Sequence, residues 1–486
     1  MTQKNETLSP DGLITPRIVP LLDPTFRPSI LAARAFRDAV RATGRAQRIG
    51  LALEQVGGVF HFSIELAPLD HALASLNTRR LVRFVKFLLW SRGACRIHVD
   101  GPAWVAELLR THFRETKTGQ FDAHIMGERT YEKPFEIVLA PAALPPARGD
   151  ARPLGRHMNG CRIGFDLGAS DRKAAAVIDG KVVFTEEIGW NPVVQRDAQW
   201  HFDEIMSGLK SAAAHLPRVD GIGGSSAGLI IANRVRVASL FRGVPPAEFD
   251  SRVAPIFSNL QKAWDGIPFD VVNDGEVTAL AGAMEMDAGA VLGIALGSSE
   301  AAGYVTPEGG ITPWLNELAF VPIDDRLDAP ADEWSGERGC GVQYLSQQAV
   351  GRLLTPAGIS LPPEMTLPEK LVQVQNLMKS NDLRAEKIYR TIGTFLGYAV
   401  AHYTDFYDVK NVLILGRVTS GPGGEMILEE AVRALKTEFP DLAERIQWRT
   451  PDEKSKRHGQ AVVAASLPVI PPNSPPADLK RILGKA

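Results

Sequence analysis

The stretch CRIGFDLGASDRKAAAVIDGKVVFTEE, from Cys161 to Glu187, carries the strongest signal of the fold. Two apolar runs flank the turn at residues 179–181, which is the pattern of a β-hairpin. A similar layout returns in GIALGSSEAAG, from Gly293 to Gly303, where an apolar run again leads into a turn of small residues. Two such units predict a duplicated α/β core with a cleft between two lobes.

The segments around these hairpins support the same core. RVDGIGGSSAG predicts a strand and a glycine turn, FDVVNDGEVTALAG a strand and a helix, EKIYRTIGTFLGYAVAHYTDFY a helix, and NVLILG another strand. The proline-rich LAPAALPPARGDARPLGRHMNG predicts a linker, because proline interrupts regular pairing. We therefore expect an N-terminal α/β domain at 1–140, a linker at 141–160, lobe I at 161–290, lobe II at 291–470, and a proline-rich tail with a short helix at 471–486.

Composition narrows the functional classes. The 486 residues are 45% hydrophobic and 23% charged, and the formal net charge of -2 gives no basic surface for a nucleic acid. The apolar runs are too short to span a bilayer, and the N-terminus lacks a signal-peptide core. The three cysteines, Cys95, Cys161 and Cys340, are far apart in sequence, which fits the reducing cytoplasm. We therefore expect a cytoplasmic protein with neither a membrane nor a nucleic-acid partner.

The N-terminal region has an α/β pattern but no motif that assigns it a function. RIGLALEQ and VFHFSIEL predict strands, and NTRRLVRFVKFLLWSRG predicts a helix that begins at Asn77 and stops at Gly93. No helix-turn-helix is visible. For the basic residues of this helix we favour a solvated face over a phosphate-binding face: Arg79, Arg80, Arg83 and Lys86.

The first hairpin has the residues of a phosphate-binding turn. Phosphates are bound by backbone N–H groups at tight turns, with a hydroxyl nearby and a carboxylate that holds hydrated Mg²⁺. Asp166, Gly168 and Ser170 can supply these groups, and Lys173 can either reach a phosphate or project into water. Taken alone, the motif also fits a purely structural turn.

The second hairpin offers a matching turn at Gly297, Ser298 and Ser299. A plain β-turn is the alternative, but two such turns in corresponding halves favour a facing pair of phosphate clamps. Four further glycines lie between a predicted buried strand and an amphipathic helix, where bare backbone lets a base or phosphate approach closely. A flexible loop explains them equally well: Gly416, Gly421, Gly423 and Gly424.

Asp274 lies at the carboxyl end of a predicted strand and at the start of a predicted helix. Ligands of open α/β sheets lie beyond the carboxyl ends of strands, and a carboxylate there can accept a hydroxyl proton during phosphoryl transfer. Asn273 can orient the same substrate. A helix N-cap is the alternative, and both roles can hold at once. The position of Asp274 among the three glycine turns favours the catalytic role.

Together these motifs resemble the actin-like ATPase superfamily of sugar kinases, actin and Hsp70, and most of all the ROK family (repressor, open reading frame, kinase). The resemblance spans roughly residues 160–470 and rests on the order of several motifs. It implies an α/β, ribonuclease H-like, duplicated two-lobe core, here with an additional N-terminal α/β domain. The family's hairpin DxGxT matches DLGAS at 166–170, its base motif NDAN matches NDGE at 273–276, and its GTGxGxG matches GSSEAAG at 297–303.

Three further motifs match with departures. The family's ExGH is similar to ELAF at 317–320, its GCxExYxSG to GCGVQYLSQQAVG at 339–351, and its adenosine motif to LGRVTSGPGG at 415–424. The His and Glu that contact sugar hydroxyls in the family are replaced by Phe320 and Val342. Ser299 and Ala301 replace glycines of the phosphate loop. Only Cys340 remains of the family's zinc cysteines, so we expect no zinc.

The resemblance implies an ATP- and Mg²⁺-dependent kinase that phosphorylates a hydroxyl of a sugar or sugar-like polyol. Asp274 would be the general base, Asn273 and Glu317 would bind substrate, and Asp166 would hold Mg²⁺ through water. We assign ATP binding to Asp166, Gly168, Ser170, Lys173, Gly297, Ser298, Ser299, Gly416, Gly421, Gly423 and Gly424. A catalytically weak ligand sensor and an ATPase that acts on a protein partner are the alternatives, and we allow for a homodimer.

Overall fold

The computed structural model describes residues 9, 11–140, 143–149, 154–237, 240–450 and 459–484. Residues 141, 142 and 150–153 of the predicted linker lie outside the described residues. The chain divides into two compact units. The first is drawn from Met1–Asp150, Ile294–Ala302 and Trp314–Arg449, and the second from Ala151–Gly293, Gly303–Pro313 and Thr450–Ala486. No helix within the described ranges combines the length and apolarity needed to cross a bilayer.

The N-terminal part of the first unit is an α/β layer, as predicted. Its elements in chain order are α1 (Ser29–Ala42), β1 (Gln47–Gln55), β2 (Gly58–Leu66), α2 (Asn77–Arg92), β3 (Arg96–Asp100), α3 (Ala103–Glu115), α4 (Lys117–His124), β4 (Glu136–Leu139) and β5 (Arg148–Gly149). The strands form one sheet in the order β4-β3-β1-β2-β5. Helix α2 ends at Gly93, whose φ of 79° lies in the region that glycine reaches without strain.

Helix α2 carries buried charges, and the prediction of a solvated face is wrong for Arg80 and Lys86. Lys86 donates to Asp122 at 2.8 Å, and both side chains are buried. Arg80 and Arg83 both pair with the buried Asp325, and the Arg83 Nε to Asp325 Oδ1 distance is 2.5 Å. Burial alone would raise the pKa of Asp325, but the two arginines outweigh it and hold that pKa well below its ordinary value.

The second unit is built on a five-stranded sheet. Its elements are β6 (Cys161–Leu167), β7 (Asp171–Ile178), β8 (Lys181–Gly189), α5 (Ala198–Ala213), β9 (Gly221–Ser226), β10 (Leu229–Ile231), β11 (Arg234–Val237), α6 (Pro246–Glu248), α7 (Ile256–Ala263), β12 (Phe269–Asn273) and α8 (Asp274–Glu285). The order across the sheet is β8-β7-β6-β9-β12. β7 runs antiparallel to β6 and β8, whereas β6, β9 and β12 are parallel.

A second sheet repeats this connectivity. The following elements are β13 (Val291–Leu296), β14 (Glu300–Val305), α9 (Gln347–Leu353), α10 (Leu367–Lys379), α11 (Leu383–Tyr403), β15 (Asn411–Leu415), α12 (Pro422–Glu438), α13 (Pro440–Arg445), β16 (Gln447–Arg449), α14 (Gly459–Ala465) and α15 (Leu479–Leu483). The strand order β14-β13-β15-β16 has the same pattern as β7-β6-β9-β12. The predicted duplication is therefore visible in the strand orders.

Helix α14 packs directly on the backbone of the second unit's sheet. A side chain on Gly164 of β6 would overlap the carbonyl oxygen of Ala461, and one on Gly223 of β9 would overlap that of Ala464. The glycines therefore let the helix approach more closely than any other residue would allow.

The boundaries of the two compact units differ from the predicted domain boundaries. The predicted domains stay a prediction. Residues 459–465, predicted in lobe II, pack on strands of the second unit, and the N-terminal region shares the first unit with residues 314–449. Phe26 is fully buried there, with its ring centroid 4.8 Å from Phe395. The backbone N–H of Ile18 donates to the Tyr398 hydroxyl at 3.2 Å.

We predict that Asp325→Asn destabilises the protein by about 3–5 kcal/mol, because it leaves two arginines without a carboxylate in a buried site. Since the folded-state pKa is lowered, this stabilisation is complete above the ordinary pKa of an aspartate and is lost as the pH falls below it. Urea unfolding at pH 7 and at pH 3 measures both effects. Asp70→Asn, which breaks the exposed Arg45–Asp70 pair, is the matched control and should leave the midpoint nearly unchanged.

Candidate active site

The carboxyl ends of β6, β9 and β12 form one edge of the second unit's sheet, because the three strands are parallel. Asp166 on β6 is in register with Ser225 on β9, and Ser226 is in register with Asn273 on β12. Asp274 follows Asn273 and begins helix α8. The fold therefore brings two predicted carboxylates, Asp166 and Asp274, to the same sheet edge.

Asp166 is buried and held by two neighbours. The Ser225 hydroxyl donates to its Oδ1 at 2.6 Å, and Lys173 Nζ lies 3.4 Å from its Oδ2. Lys173 also donates to Asp171 at 2.6 Å, so its ammonium pairs with two carboxylates instead of projecting into water. Burial raises the pKa of Asp166, although Ser225 and Lys173 act in the opposite direction.

Asp274 has the properties of a general base. Burial, reinforced by the negative charge of Asp166, raises its pKa from the ordinary value of 3.8 to about 6. The backbone N–H of Gly275 donates to its Oδ1 at 3.0 Å and opposes part of this rise. A base of this pKa is largely ionised at neutral pH and still has appreciable proton affinity.

Asn273 is the N-cap of α8. Its Oδ1 accepts from the Gly275 N–H at 2.7 Å, and its Nδ2 donates to the Gly228 carbonyl at 2.9 Å. These two bonds engage one of its two amide hydrogens and part of its carbonyl oxygen. The capping interpretation thus holds for Asn273, and its predicted contact with substrate stays a prediction.

The predicted phosphate turn of the first hairpin is closed by its own hydrogen bonds. The Gly168 N–H donates to the Asp171 carbonyl at 3.0 Å, and the Gly168 carbonyl accepts from Trp190 Nε1 at 2.8 Å. Ser170 is exposed, and its hydroxyl donates to the Asp171 carboxylate at 2.9 Å. Ala169 and Ser170 are the exposed residues of this turn, and of the two only Ser170 has a polar side chain.

The matching turn lies in the first unit between β13 and β14. The Gly297 N–H donates to the Ser299 carbonyl at 2.9 Å, and Ser298 and Ser299 are exposed. Glu300 follows immediately and is buried, with one oxygen accepting from the Tyr403 hydroxyl at 3.0 Å. Burial raises the pKa of Glu300 to about 8, so the side chain is mostly protonated at neutral pH.

The four glycines of the adenosine motif have different environments. Side chains on Gly423 and Gly424 would overlap the Tyr389 ring and the Thr419 backbone, so these glycines permit packing within the protein. Gly416 has a φ of 104° and lies against Leu296, whereas Gly421 has a φ of 73° and open space around it. Only Gly421 therefore presents bare backbone to a ligand.

A cavity of about 260 Å³ adjoins this loop, just below the usual size of a small-molecule site. Arg417 and Ser420 of the loop line it together with Leu371 and Gln375 of α10, and Gln375 donates to the Arg417 carbonyl at 2.9 Å. An apolar wall beside amide and backbone groups fits a flat, polar-edged base.

The predicted substrate side is apolar. Phe320 packs against Trp90, with ring centroids 4.3 Å apart, and against Trp334 at 5.2 Å. Val342 is buried in a small apolar cluster that includes Cys340. Glu317 is half-buried, its backbone N–H donates to Trp90, and its charge contributes to the raised pKa of Glu300.

The predicted site residues fall into both units. Within the second unit the structure groups Asp166, Gly168, Ser170, Lys173, Asn273 and Asp274, and within the first unit lie Gly297, Ser298, Ser299, Glu317, Gly416, Gly421, Gly423 and Gly424. Sequence reasoning missed Ser225 and Glu300, although GIGGSS ends a strand parallel to the one that bears Asp166. In the described ranges, no group of three or more His, Cys, Asp or Glu side chains is placed to hold a metal ion.

We predict that Asp166→Asn lowers the pKa of Asp274 below its value of about 6, because it removes the negative charge that favours the protonated form. Titration of the ¹³C carboxyl signals of labelled aspartates measures the shift. Asp179→Asn, at the opposite end of the same hairpin, should leave that pKa unchanged. An unaltered Asp274 titration in Asp166→Asn would mean that burial alone raises the pKa.

Comparison with known proteins identifies the fold. No protein-family model and no curated protein matches the chain. The ROK hexokinase from Thermus thermophilus is similar in structure, with 18% identity, a TM-score of 0.50, and coverage of 63% of this chain and 96% of that one. A ROK family transcriptional regulator, a homolog of the E. coli MLC protein, has 17% identity and a TM-score of 0.51, covering 75% of this chain and 89% of the regulator. The chain therefore has the fold of ROK proteins, an α/β fold with the duplicated core of the actin-like ATPases.

Proposed function

We propose that the protein is an ATP-dependent kinase that transfers a phosphoryl group to a hydroxyl of a sugar or sugar-like polyol. The observation that carries this proposal is Asp274, a carboxylate with a pKa of about 6 at the carboxyl end of a parallel strand. Ligands of such sheets lie at that edge, and phosphoryl transfer needs a base that accepts the hydroxyl proton.

Different residues of the chain would accept that proton, tune the base and bind the substrate. Asp274 accepts the proton at its carboxylate, which the Gly275 N–H holds through Oδ1. The negative charge of Asp166 raises the proton affinity of Asp274, and Ser225 and Lys173 keep Asp166 in place. The remaining N–H of Asn273 would bind another hydroxyl of the substrate, and the substrate contact of Glu317 stays a prediction.

The residues present fit ATP and Mg²⁺. The cavity beside Arg417 and Ser420 would hold the base, and bare backbone at Gly421 leaves space beside it. The exposed hydroxyls of Ser298 and Ser299 would contact phosphates, and Asp166 offers the hard oxygen that hydrated Mg²⁺ prefers. When bound, ATP with Mg²⁺ supplies the phosphoryl group and neutralises its charge.

Phe320 and Val342 stand where ROK proteins have the His and Glu that contact sugar hydroxyls, and these apolar residues limit the class of substrate. Phe320 and Val342 offer no hydrogen bond, so each sugar hydroxyl buried against them would cost about 1–3 kcal/mol. We therefore expect the substrate to lack hydroxyls at those positions, as a deoxygenated or otherwise modified sugar or polyol does.

The apolar residues Phe320 and Val342 also support a second candidate function, a protein that binds a ligand without catalytic turnover. Phe320 packs into an aromatic cluster with Trp90 of the N-terminal region, which could report a bound ligand. The structural likeness to a ROK transcriptional regulator supports this candidate, as the likeness to a ROK hexokinase supports the kinase.

ADP release measured with and without a panel of sugars and polyols separates the candidates. Release that depends on one of the hydroxyl compounds supports the kinase. Release that ignores every compound supports an ATPase acting on a protein partner, and binding without release supports the ligand sensor.

We predict that Asp274→Asn lowers the hydroxyl-dependent turnover by about 10²–10⁴-fold, which is the usual contribution of a general base. Its melting temperature should not fall, because desolvation and the charge of Asp166 make the ionised form of Asp274 unfavourable, and the amide removes that charge. Glu285→Gln, on the exposed last turn of the same helix, is the matched control and should keep full turnover. Equal turnover in Asp274→Asn would exclude Asp274 as the base.

We predict that kcat/KM rises with pH through a midpoint near 6 and then levels off, because only ionised Asp274 accepts a proton. Below the midpoint the rate should fall about tenfold per pH unit. A pH profile from 4.5 to 8 on the wild type and on Glu285→Gln, in which Asp274 is intact, checks this assignment. Both should show the same midpoint, and a rate that does not change with pH over this range would contradict it.

A further inference from the structure

A cavity of about 910 Å³ lies in the first unit, and none of its lining residues belongs to the candidate active site. Helix α1, strand β2, helix α2 and the end of α11 supply most of its walls. Small-molecule sites typically measure roughly 300–1,000 Å³, so the cavity has the size of a ligand site.

Strand β2 gives the cavity an open wall. Beyond Val59, β2 pairs with β1 on one side, and among the described strands none pairs on the other. His61–Glu65 line the cavity along this unpaired stretch. Because successive side chains of a strand alternate between its faces, residues from both faces of β2 line the same cavity.

Most charged groups that line the cavity are already paired. Asp325 pairs with Arg80 and Arg83, Glu65 with Arg41 at 2.5 Å, and Asp405 with Arg34 and Arg37 at 2.7 and 3.7 Å. His61 lies 2.7 Å from the Pro145 carbonyl. The lining charges with no ion-pair partner among the described residues are Arg48 and Asp100.

Arg48 and Asp100 stand on neighbouring strands of one sheet. Asp100 is paired with Gly50 in the β1–β3 register, and Arg48 is two residues before Gly50, hence on the same face. Diagonal neighbours of this kind lie roughly 7–8 Å apart. The lining of the cavity therefore includes an exposed cation and an exposed anion on one face of the sheet, with backbone positions close enough for one zwitterionic head group to pair with both.

The interior combines apolar surface with one polar atom that lacks a partner. Phe84, Phe406 and Ala33 are half-buried and line the cavity. His402 also lines it and is 6% exposed, and its Nδ1 is buried without a hydrogen-bond partner among the described residues. Burial lowers the pKa of His402 to about 4, so the ring is neutral and one of its nitrogens can accept a hydrogen bond.

We propose that this cavity binds an amphipathic zwitterion of the class of the large aromatic α-amino acids. The carboxylate would pair with Arg48, the ammonium with Asp100, and the ring would lie against Phe84 and Phe406. This site is separate from the proposed kinase chemistry and does not depend on it.

Calorimetric titration of the whole protein without nucleotide tests the proposal. L-tryptophan should bind at one site per chain, more tightly than indole-3-propionate, which lacks the ammonium, and than tryptamine, which lacks the carboxylate. Arg48→Gln should weaken L-tryptophan and indole-3-propionate at least tenfold and leave tryptamine unchanged. Asp100→Asn should weaken L-tryptophan and tryptamine and leave indole-3-propionate unchanged.

Three further variants serve as controls. Arg45→Gln changes an exposed arginine that pairs with Asp70 outside the cavity, and it should bind as the wild type does. Ala33→Trp should fill the cavity and abolish binding. His402→Phe should bind L-tryptophan as the wild type does and should not lower the melting temperature, because it removes an unsatisfied buried nitrogen that has no surface in the cavity.

Two results would overturn the proposal: no saturable binding of L-tryptophan to the wild type, or equal binding of all three probes. Arg48 and Asp100 are exposed, so their variants decide the question even if Ala33→Trp fails to fold.

Discussion

The unit that holds Asp274 depends on one close contact, the packing of α14 on the bare backbone of β6 and β9. Gly164 and Gly223 meet the carbonyl groups of Ala461 and Ala464, and neither position has room for a side chain. This contact fixes one face of the parallel strands whose carboxyl ends carry Asp166 and Asp274. Burial, with the charge of Asp166 on the same edge, raises the pKa of Asp274, and the proposed chemistry follows from that shift.

The sequence was informative wherever a local pattern has one geometric outcome. The hairpin after Cys161, the strand that ends at Asn273 and the helix that begins at Asp274 all have the predicted form. The shared edge of Asp166 and Asp274 follows from the parallel pairing of β6, β9 and β12, which no local pattern predicted. The hydrogen bond from Ser225 to Asp166 could not be predicted, because it depends on which strand lies between β6 and β12.

Long-range pairing explains the remaining differences. Arg80 and Lys86 have the spacing of a solvated helix face, but Asp325 is 245 residues from Arg80 and only the folded chain brings it there. Gly423 and Gly424 have the sequence of a ligand loop, yet packing against Tyr389 and Thr419 accounts for them. Local spacing predicts whether a glycine or an arginine lies in a turn or on a helix face. Its role in packing or ion pairing depends on tertiary contacts.

The interleaving of segments in the first unit has a consequence for the evolution of this chain. Residues before 150 contribute Phe26, Arg80 and Arg83 to an interior whose other half comes from residues 314–449. Such a region is not a module that gene fusion can exchange or truncation can remove, since its loss would take away two arginines that pair with Asp325 and half of the surrounding interior. We therefore expect substitutions in this region to be coupled to substitutions in the segment that it contacts.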